Sequence, residues 1–150
     1  MIIIAHRGLL DGPDKQLENH PKQIEHALEE NFYVEVDVRV INKRIFLGHD
    51  TPDYEVEERW LTIIAPHMWA HCKNIEALLF FKNREQKFHF FWHEEDTLTL
   101  TSRGFIWVYP GKQPVKNSIA VMPELHKDDV SECFGICTDY AYQYKKRYDT

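Results

Sequence analysis

The chain is 150 residues long, and its 24 acidic and 18 basic side chains give a formal net charge of −6 with histidine neutral. The length predicts a single domain over residues 1–150, and a hydrophobic content of 43 % excludes a disordered chain. The acidic balance, with no basic block, excludes a general nucleic-acid or anionic-membrane binder, because clustered Lys and Arg neutralise phosphate backbones.

Short apolar runs alternate with amphipathic segments along the chain. Because the runs are continuous rather than alternating, they predict strands covered on both faces, as in a parallel sheet. Apolar residues at helical spacing between several runs predict helices, and Pro21 after Asn19-His20 is typical of a helix start. The predicted strands are 2–5, 33–40, 68–72, 88–92, 105–109, 118–122 and 135–138, and the predicted helices are 21–32, 56–64 and 74–85.

The alternation of strands and helices predicts an α/β fold with right-handed crossovers. One local exception is the pair Asn42-Lys43, which lies between two apolar runs and predicts a tight hairpin that extends the second strand. Eight full strand-plus-helix units of a barrel need about 250 residues. A barrel of this length is therefore abbreviated and lacks several outer helices.

Polar side chains follow the predicted strands at the points where the apolar runs stop. In parallel α/β sheets this carboxyl-terminal edge is where ligands bind, because the loops converge there. The residues in these positions are His6, Arg7, His71, Lys73, His93, Glu94, Tyr109 and Asp139.

Glu35 and Asp37 are two residues apart in a valine-rich strand, so both carboxylates point to the same face. Two acids on one face of an apolar strand are costly unless a cation or a proton compensates them. A divalent metal with oxygen ligands is the simplest explanation. The alternative is an exposed face with two solvated acids.

One reaction would use a further set of residues together with these acids. The set is His6, His49 and either Arg7 or Lys73. Two histidines can exchange protons, a cationic side chain can bind phosphoryl charge, and paired carboxylates can hold a metal. Phosphodiester cleavage needs all of these. Taken singly, each residue also has a structural interpretation, such as a histidine at a strand end or an arginine in a salt bridge.

Two further observations concern location. No apolar run approaches the roughly 18 residues that span a bilayer, and the apolar stretch 1–5 is too short for a signal peptide. Cys72, Cys133 and Cys137 are an odd set that cannot all pair, which favours a reducing compartment. We therefore expect a cytoplasmic protein without a membrane span.

Four separated motifs resemble those of the glycerophosphodiester phosphodiesterase family, within the phosphatidylinositol-phospholipase-C-like phosphodiesterases. They are His6-Arg7-Gly8, Glu18-Asn19 before a helix, the strand 34–38 with its two acids, and Gly48-His49-Asp50. The segment 135–140 is also similar to the last barrel strand of that family. The segment 69–74 resembles a short, divergent bacterial and phage branch.

The resemblance implies an abbreviated TIM-like (β/α) barrel with shortened or missing outer helices, and a divalent cation (Mg²⁺, Ca²⁺ or Mn²⁺) held by Glu35 and Asp37. It also implies catalytic histidines at His6 and His49 and a phosphate-binding lysine at Lys73. The family usually has glutamate where this chain has His71. If His71 is the third ligand, a softer cation such as Mn²⁺ or Zn²⁺ is expected.

These expectations combine into a metal-dependent phosphodiesterase acting on a small glycerol- or sugar-linked phosphodiester, through a cyclic phosphate. The alternative is a non-catalytic module that binds a phospho-ligand in a degenerate barrel site. A phosphate- or sulfate-ester hydrolase of other specificity is a third hypothesis. For the phosphodiesterase, Arg7 and Lys73 are expected to bind phosphate, and His93 and Tyr109 to contact the leaving group. Glu18 and Asn19 are expected to support the site or to cap the following helix.

Overall fold

The computed structural model describes residues 1–149, which form ten strands and four short α-helices. The strands are β1 (Ile2–His6), β2 (Tyr33–Ile41), β3 (Arg44–Leu47), β4 (Tyr54–Val56), β5 (Met68–Cys72), β6 (Phe90–Phe91), β7 (Leu98–Leu100), β8 (Ile106–Val108), β9 (Ile119–Val121) and β10 (Gly135–Thr138). The helices are α1 (Pro21–Glu29), α2 (Glu58–Ile64), α3 (Ile75–Lys82) and α4 (Ala141–Tyr148).

The middle of the sheet is parallel. β1 pairs with β2 on one side and with β10 on the other, β5 pairs with β2 and β6, and β9 joins β10 to β8. Antiparallel strands are added to this parallel region, β3 and β4 beside β2 and β7 beside β8. The carboxyl ends of the parallel strands consequently meet at one edge of the sheet.

The prediction of an abbreviated TIM-like (β/α) barrel is wrong. The sheet is mixed and curls into a half-barrel, and the segment from β6 to β10 contains no α-helix. No strand pairing joins β6 to β7 within residues 1–149. Hydrogen bonds to Ser102, in the turn after β7, link β6 to this segment instead: Phe90 N donates to Ser102 Oγ at 2.9 Å, and Ser102 N donates to Phe90 O at 2.8 Å.

The predicted hairpin is present, with Ile41 opposite Arg44 across the turn. Asn42 and Lys43 both adopt positive φ, at 50° and 63°, as expected for the tight turn that best matches strand twist. Each predicted strand and helix has a counterpart, although most are shorter than expected. β4, β7 and α4 were not predicted.

A cluster of buried residues lies inside the curl and positions the candidate site. Its members are Ile4, Trp69, Phe91, Trp107, Ile119 and Cys137. Side chains two residues apart on a strand share a face, so the next residues on the same side form a second layer toward the carboxyl-terminal edge. These residues are His6, His71, His93, Tyr109, Val121 and Asp139.

A larger apolar core covers the outside of the sheet, where Val34, Val36 and Val38 of β2 pack against the helices. The alternate residues Glu35 and Asp37 therefore project to the inner face. No helix within residues 1–149 has the length and apolar character to cross a bilayer.

Candidate functional site

A cavity of about 900 Å³ opens at the carboxyl-terminal edge of the sheet, above the inner apolar cluster. The predicted site residues that line it are His6, Arg7, Glu35, His49, His71, Lys73, His93 and Tyr109. Asp37, Glu18 and Asn19 contact this group from its margin. The fold thus brings all of the residues predicted for the site to one region.

His6, at the end of β1, is oriented by a carboxylate. His6 Nδ1 lies 2.7 Å from Asp139 Oδ1, and His6 Nε2 lies 3.8 Å from Glu35 Oε2. Burial opposes protonation, but the hydrogen bond to Asp139 and the charge of Glu35 raise the pKa of His6 above its ordinary 6.5. Because a carboxylate only accepts, Nδ1–H donates to Asp139 and Nε2 is the atom that can exchange a proton.

Arg7 and Gly8 turn the chain sharply after β1, with φ values of 53° and 77°. This turn lets Arg7 N donate to Glu35 Oε2 at 3.2 Å. The Arg7 guanidinium donates to Glu18 Oε2 at 3.0 Å, and its Nε lies 3.2 Å from Asp37 Oδ2. Arg7 therefore offsets part of the negative charge of these three acids.

Glu35 and Asp37 are almost completely buried, with exposed fractions of 1 % and 0 %. In each carboxylate, protein donors hold one oxygen. Asp37 Oδ2 accepts from Asn19 Nδ2 at 2.9 Å, and Glu35 Oε2 accepts from Arg7 N. Asp37 Oδ1, in contrast, is buried and has no hydrogen-bond partner among residues 1–149.

The charge state of Asp37 follows from these contacts. Burial by itself would raise the pKa of its carboxyl, but His71, Arg7 and Asn19 outweigh burial and hold that pKa well below 3.8. Asp37 is therefore an ionised carboxylate in the interior. An ionised, buried oxygen whose nearest polar neighbour is the imidazole of His71, 3.1 Å away, is a strong position for a cation.

His71 faces both acids. Its Nδ1 lies 3.1 Å from Asp37 Oδ1 and 3.6 Å from Glu35 Oε1, and its Nε2 donates to His93 O at 2.9 Å. The ring also stacks on Phe91, with centroids 4.8 Å apart and planes at 13°. Burial opposes protonation, but both acids raise the pKa of His71 to about 9.

Glu35, Asp37 and His71 fit a divalent cation. One ligand atom from each side chain lies within 4.8 Å of the others. Carboxylate oxygens and an imidazole nitrogen are ordinary ligands of divalent metals, and apart from the nearby His71, Asp37 Oδ1 has no partner in the described part of the chain. These residues are therefore suited to hold a metal.

His49 reaches the cavity on the loop that follows β3. Its Nδ1 lies 2.8 Å from Asp50 Oδ1, and Arg39 donates to the carbonyl oxygens of Gly48 and His49. Gly48 has a φ of 150°, and a Cβ there would lie 1.9 Å from Thr51 O. The hairpin extension and its glycine thus place the second histidine.

Lys73 follows β5, where its backbone N donates to Val38 O at 2.9 Å. It lines the same cavity as His6 and His49.

His93 and Tyr109 also line this cavity. Their rings lie 4.8 Å apart, and His93 Nε2 donates to Asp96 O at 2.9 Å. Burial lowers the pKa of His93 below 6.5, so its ring is neutral near pH 7.

Sequence reasoning did not assign a role to Asp139, although Asp139 is the partner of His6. The signal was present, because Asp139 directly follows the predicted strand 135–138. Met122, Leu125 and His126 also line the cavity. They come from a loop that carried no motif, so nothing in the sequence pointed to them.

Comparison with known proteins gave no relative for this chain. No protein-family model, curated protein or solved structure matched it. Its function is therefore inferred from side-chain geometry and from the motifs described above.

Proposed function

We propose that this protein is a metal-dependent phosphodiesterase that hydrolyses a small glycerol- or sugar-linked phosphodiester. The observation that carries the proposal is that His6 and His49 line one cavity with Lys73 and with Glu35 of the acidic pair. These residues come from separate parts of the chain, and each contributes a function that phosphodiester cleavage requires.

The two histidines act as acid and base. For a substrate with a hydroxyl group next to the phosphodiester, His6 Nε2 accepts the hydroxyl proton and His49 protonates the leaving oxygen. The product is a cyclic phosphate, which water then opens while the two histidines exchange roles. Asp139 and Asp50 support these roles, because each accepts from Nδ1 of its histidine and leaves Nε2 available.

Positive charge at the phosphate comes from Lys73 and, in part, from Arg7. Arg7 is also paired with Glu18 and Asp37, so Lys73 is the stronger candidate for direct contact with the non-bridging oxygens. When bound by Glu35, Asp37 and His71, a divalent cation supplies further stabilisation of negative charge on the phosphoryl group. His93 and Tyr109 line the same cavity, which supports a role for them in contacting the leaving group.

The test is hydrolysis of glycerophosphodiesters by the full chain, with and without EDTA. His6→Ala and His49→Ala should each reduce turnover by about 10²- to 10⁴-fold, the usual contribution of a general acid or base. His26→Ala, on the exposed face of α1, is the matched control and should retain activity. A His6→Ala protein with unchanged turnover would rule out the mechanism. A phosphomonoester tested in parallel separates the enzyme from a monoesterase.

One observation favours a second function, a phospho-ligand-binding module without turnover. His71 lies within 3.1 Å of Asp37 Oδ1 and 3.6 Å of Glu35 Oε1. As an imidazolium, it supplies positive charge next to both acids without a metal. This function predicts that glycerol phosphate raises the unfolding temperature equally with and without EDTA, and that no phosphodiester is hydrolysed.

A further inference from the structure

We propose that Glu35, Asp37 and His71 form a site selective for a borderline transition-metal cation such as Zn²⁺ or Co²⁺ over Mg²⁺ and Ca²⁺. In this site the carbonyl oxygen of His93 holds His71 in the tautomer that binds the metal. The biological role of this metal rests on the proposed phosphodiesterase function, whereas the binding of the metal does not.

The first observation is that the two oxygens of each carboxylate have different surroundings. Asp37 Oδ2 accepts from Asn19 and lies beside Arg7, whereas Asp37 Oδ1 has no hydrogen-bond partner among the described residues. Glu35 Oε2 accepts from Arg7 N, whereas Glu35 Oε1 faces the imidazole of His71. One oxygen of each acid is thus anchored, and the other points toward the same nitrogen.

The second step is the tautomer of His71. A backbone carbonyl only accepts hydrogen bonds, so the contact with His93 O at 2.9 Å places the proton on Nε2. In the neutral ring Nδ1 then carries the lone pair, and it faces both free carboxylate oxygens. A metal-binding histidine commonly donates its other N–H to a carbonyl or carboxylate, which orients the ring and raises its basicity.

The third step is the class of metal. Separations of 3.1 and 3.6 Å from Nδ1 to the two oxygens match neighbouring ligands of one ion, which lie roughly 3.0–3.5 Å apart when metal–ligand distances are about 2.1 Å. Mg²⁺ and Ca²⁺ prefer oxygen ligands throughout. An imidazole nitrogen favours transition cations, whose affinity rises toward Zn²⁺ and Cu²⁺.

The experiment measures metal binding by the metal-stripped full chain without substrate. Calorimetric titration with Zn²⁺, Co²⁺, Mg²⁺ and Ca²⁺ should show one site that binds Zn²⁺ and Co²⁺ more tightly than Mg²⁺ and Ca²⁺. The visible absorption of bound Co²⁺ should report a nitrogen ligand. In ¹⁵N NMR spectra, Zn²⁺ should shift Nδ1 of His71 while Nε2 keeps its proton.

His71→Glu is the discriminating variant, because it supplies a third oxygen ligand. We expect its Zn²⁺ affinity to fall by more than about 100-fold, beyond the contribution of an outer-shell partner, and its Mg²⁺ or Ca²⁺ affinity to rise. His26→Gln removes an exposed histidine of α1 that is not among the residues lining the cavity and should leave Zn²⁺ binding unchanged. If His71→Glu does not fold, the NMR measurement on the native chain decides alone.

Several outcomes would overturn the inference. These are no metal binding, equal affinity for Mg²⁺ and Zn²⁺, a native Zn²⁺ affinity in His71→Glu, or a shift of Nε2 rather than Nδ1. Zn²⁺ binding through His71 without any phosphodiester hydrolysis would support the metal inference and contradict the proposed function. If the metal-stripped chain binds no metal but hydrolyses the phosphodiester fully in EDTA, the protein is a phosphodiesterase that does not need this metal. That result would overturn the inference.

Discussion

His6 Nδ1 and Asp139 Oδ1 lie 2.7 Å apart although 133 positions separate the two residues in the chain. They meet because β1 and β10 pair in parallel, with Ala5 opposite Thr138. Both side chains therefore leave the sheet at the same edge. Asp139 acts through His6, since its carboxylate orients the imidazole ring and stabilises the protonated form.

Asp139→Asn should reduce turnover of a glycerophosphodiester by about 10²-fold or more, because a neutral amide, which can also donate to His6 Nδ1, replaces the charged carboxylate that fixes the tautomer of His6. KM should change little, since Asp139 does not line the cavity. The pKa of His6 should fall as well, because the hydrogen bond to a charged carboxylate, which raises it, is replaced by a weaker contact with a neutral amide. Steady-state kinetics and an NMR pH titration of His6 measure both effects.

The control for this substitution is Asp11→Asn, which removes an exposed carboxylate and should leave both quantities unchanged. A role for Asp139 in folding alone predicts reduced stability with an unaltered His6 titration. That result would contradict the positioning role.

Lys73→Gln should weaken the binding of the phosphate ester by about 10-fold or more, since hydrogen bonds to charged groups contribute roughly 1.5–3 kcal/mol. The effect should appear in KM and in the affinity for glycerol phosphate, and it should shrink as salt concentration rises. Lys116→Gln, at an exposed position, is the matched control. Equal affinities in the two variants would exclude Lys73 from the phosphate site.

Gly48→Ala should destabilise the protein and displace His49, because the new Cβ would lie 1.9 Å from Thr51 O. The backbone at a φ of 150° is unfavourable for alanine and adds about 1–3 kcal/mol. Gly104→Ala is a suitable control, since Gly104 also has positive φ but has no atom within 4 Å of a built Cβ. Urea unfolding should show a larger loss for Gly48→Ala, with turnover reduced only in that variant.

Asn19→Ala should reduce the free energy of unfolding by about 1–3 kcal/mol, the cost of leaving a buried polar group without its partner. Asn19 is buried, donates to Asp37 Oδ2 and accepts from Asp37 N at 3.0 Å. Its φ of 59° adds backbone strain for alanine. Asn31→Ala, exposed and at a φ of 65°, measures that strain alone. Equal losses in urea unfolding would show that the contacts with Asp37 contribute nothing.

His89 should make the fold less stable in acid. Burial and, to a smaller extent, Arg103 lower its pKa to about 4 in the folded protein. An unfolded histidine titrates near 6.5, so the unfolded state takes up the proton first as pH falls. The stability that His89 contributes is therefore complete above pH 6.5 and is lost between roughly pH 6.5 and pH 4.

His89→Gln retains a polar side chain near Thr101 Oγ1, which lies 2.7 Å from His89 Nε2, but it does not titrate. The difference in unfolding free energy between pH 7 and pH 4.5 should be smaller in this variant than in the native chain, by an amount on the order of 1–3 kcal/mol. His26→Gln, on the surface of α1, should keep the native pH dependence. Parallel pH profiles for His89→Gln and the native chain would contradict the assignment.

Local patterns were sufficient for several parts of the molecule. Hydrophobic runs predicted the strands, because a buried strand must be apolar over a few successive residues. The alternation within β2 predicted that Glu35 and Asp37 share a face, and Asn42-Lys43 predicted the hairpin. The placement of His6, His71 and His93 at strand ends indicated one functional edge.

The closure of the sheet could not be predicted in the same way. Residues 98–100 form β7, antiparallel to β8; the strict alternation of Thr and Leu over residues 97–101 is typical of a strand, but it does not indicate which strand would pair with it. The barrel expectation failed because it depends on how strands at the two sides of the sheet pair, which local periodicity does not encode. Among residues 1–149, no α-helix lies between β6 and β10 and no strand pairing joins β6 to β7.

Spacing along the chain was enough to predict the residue types of the site and the strand edge at which they lie. The pairing of strands was needed to show that Asp139 orients His6, that His93 O holds His71, and that the buried Asp37 Oδ1 faces His71 Nδ1. These are relationships between atoms a few ångströms apart on different strands. They depend on strand register and ring orientation, which packing sets only when the whole chain folds.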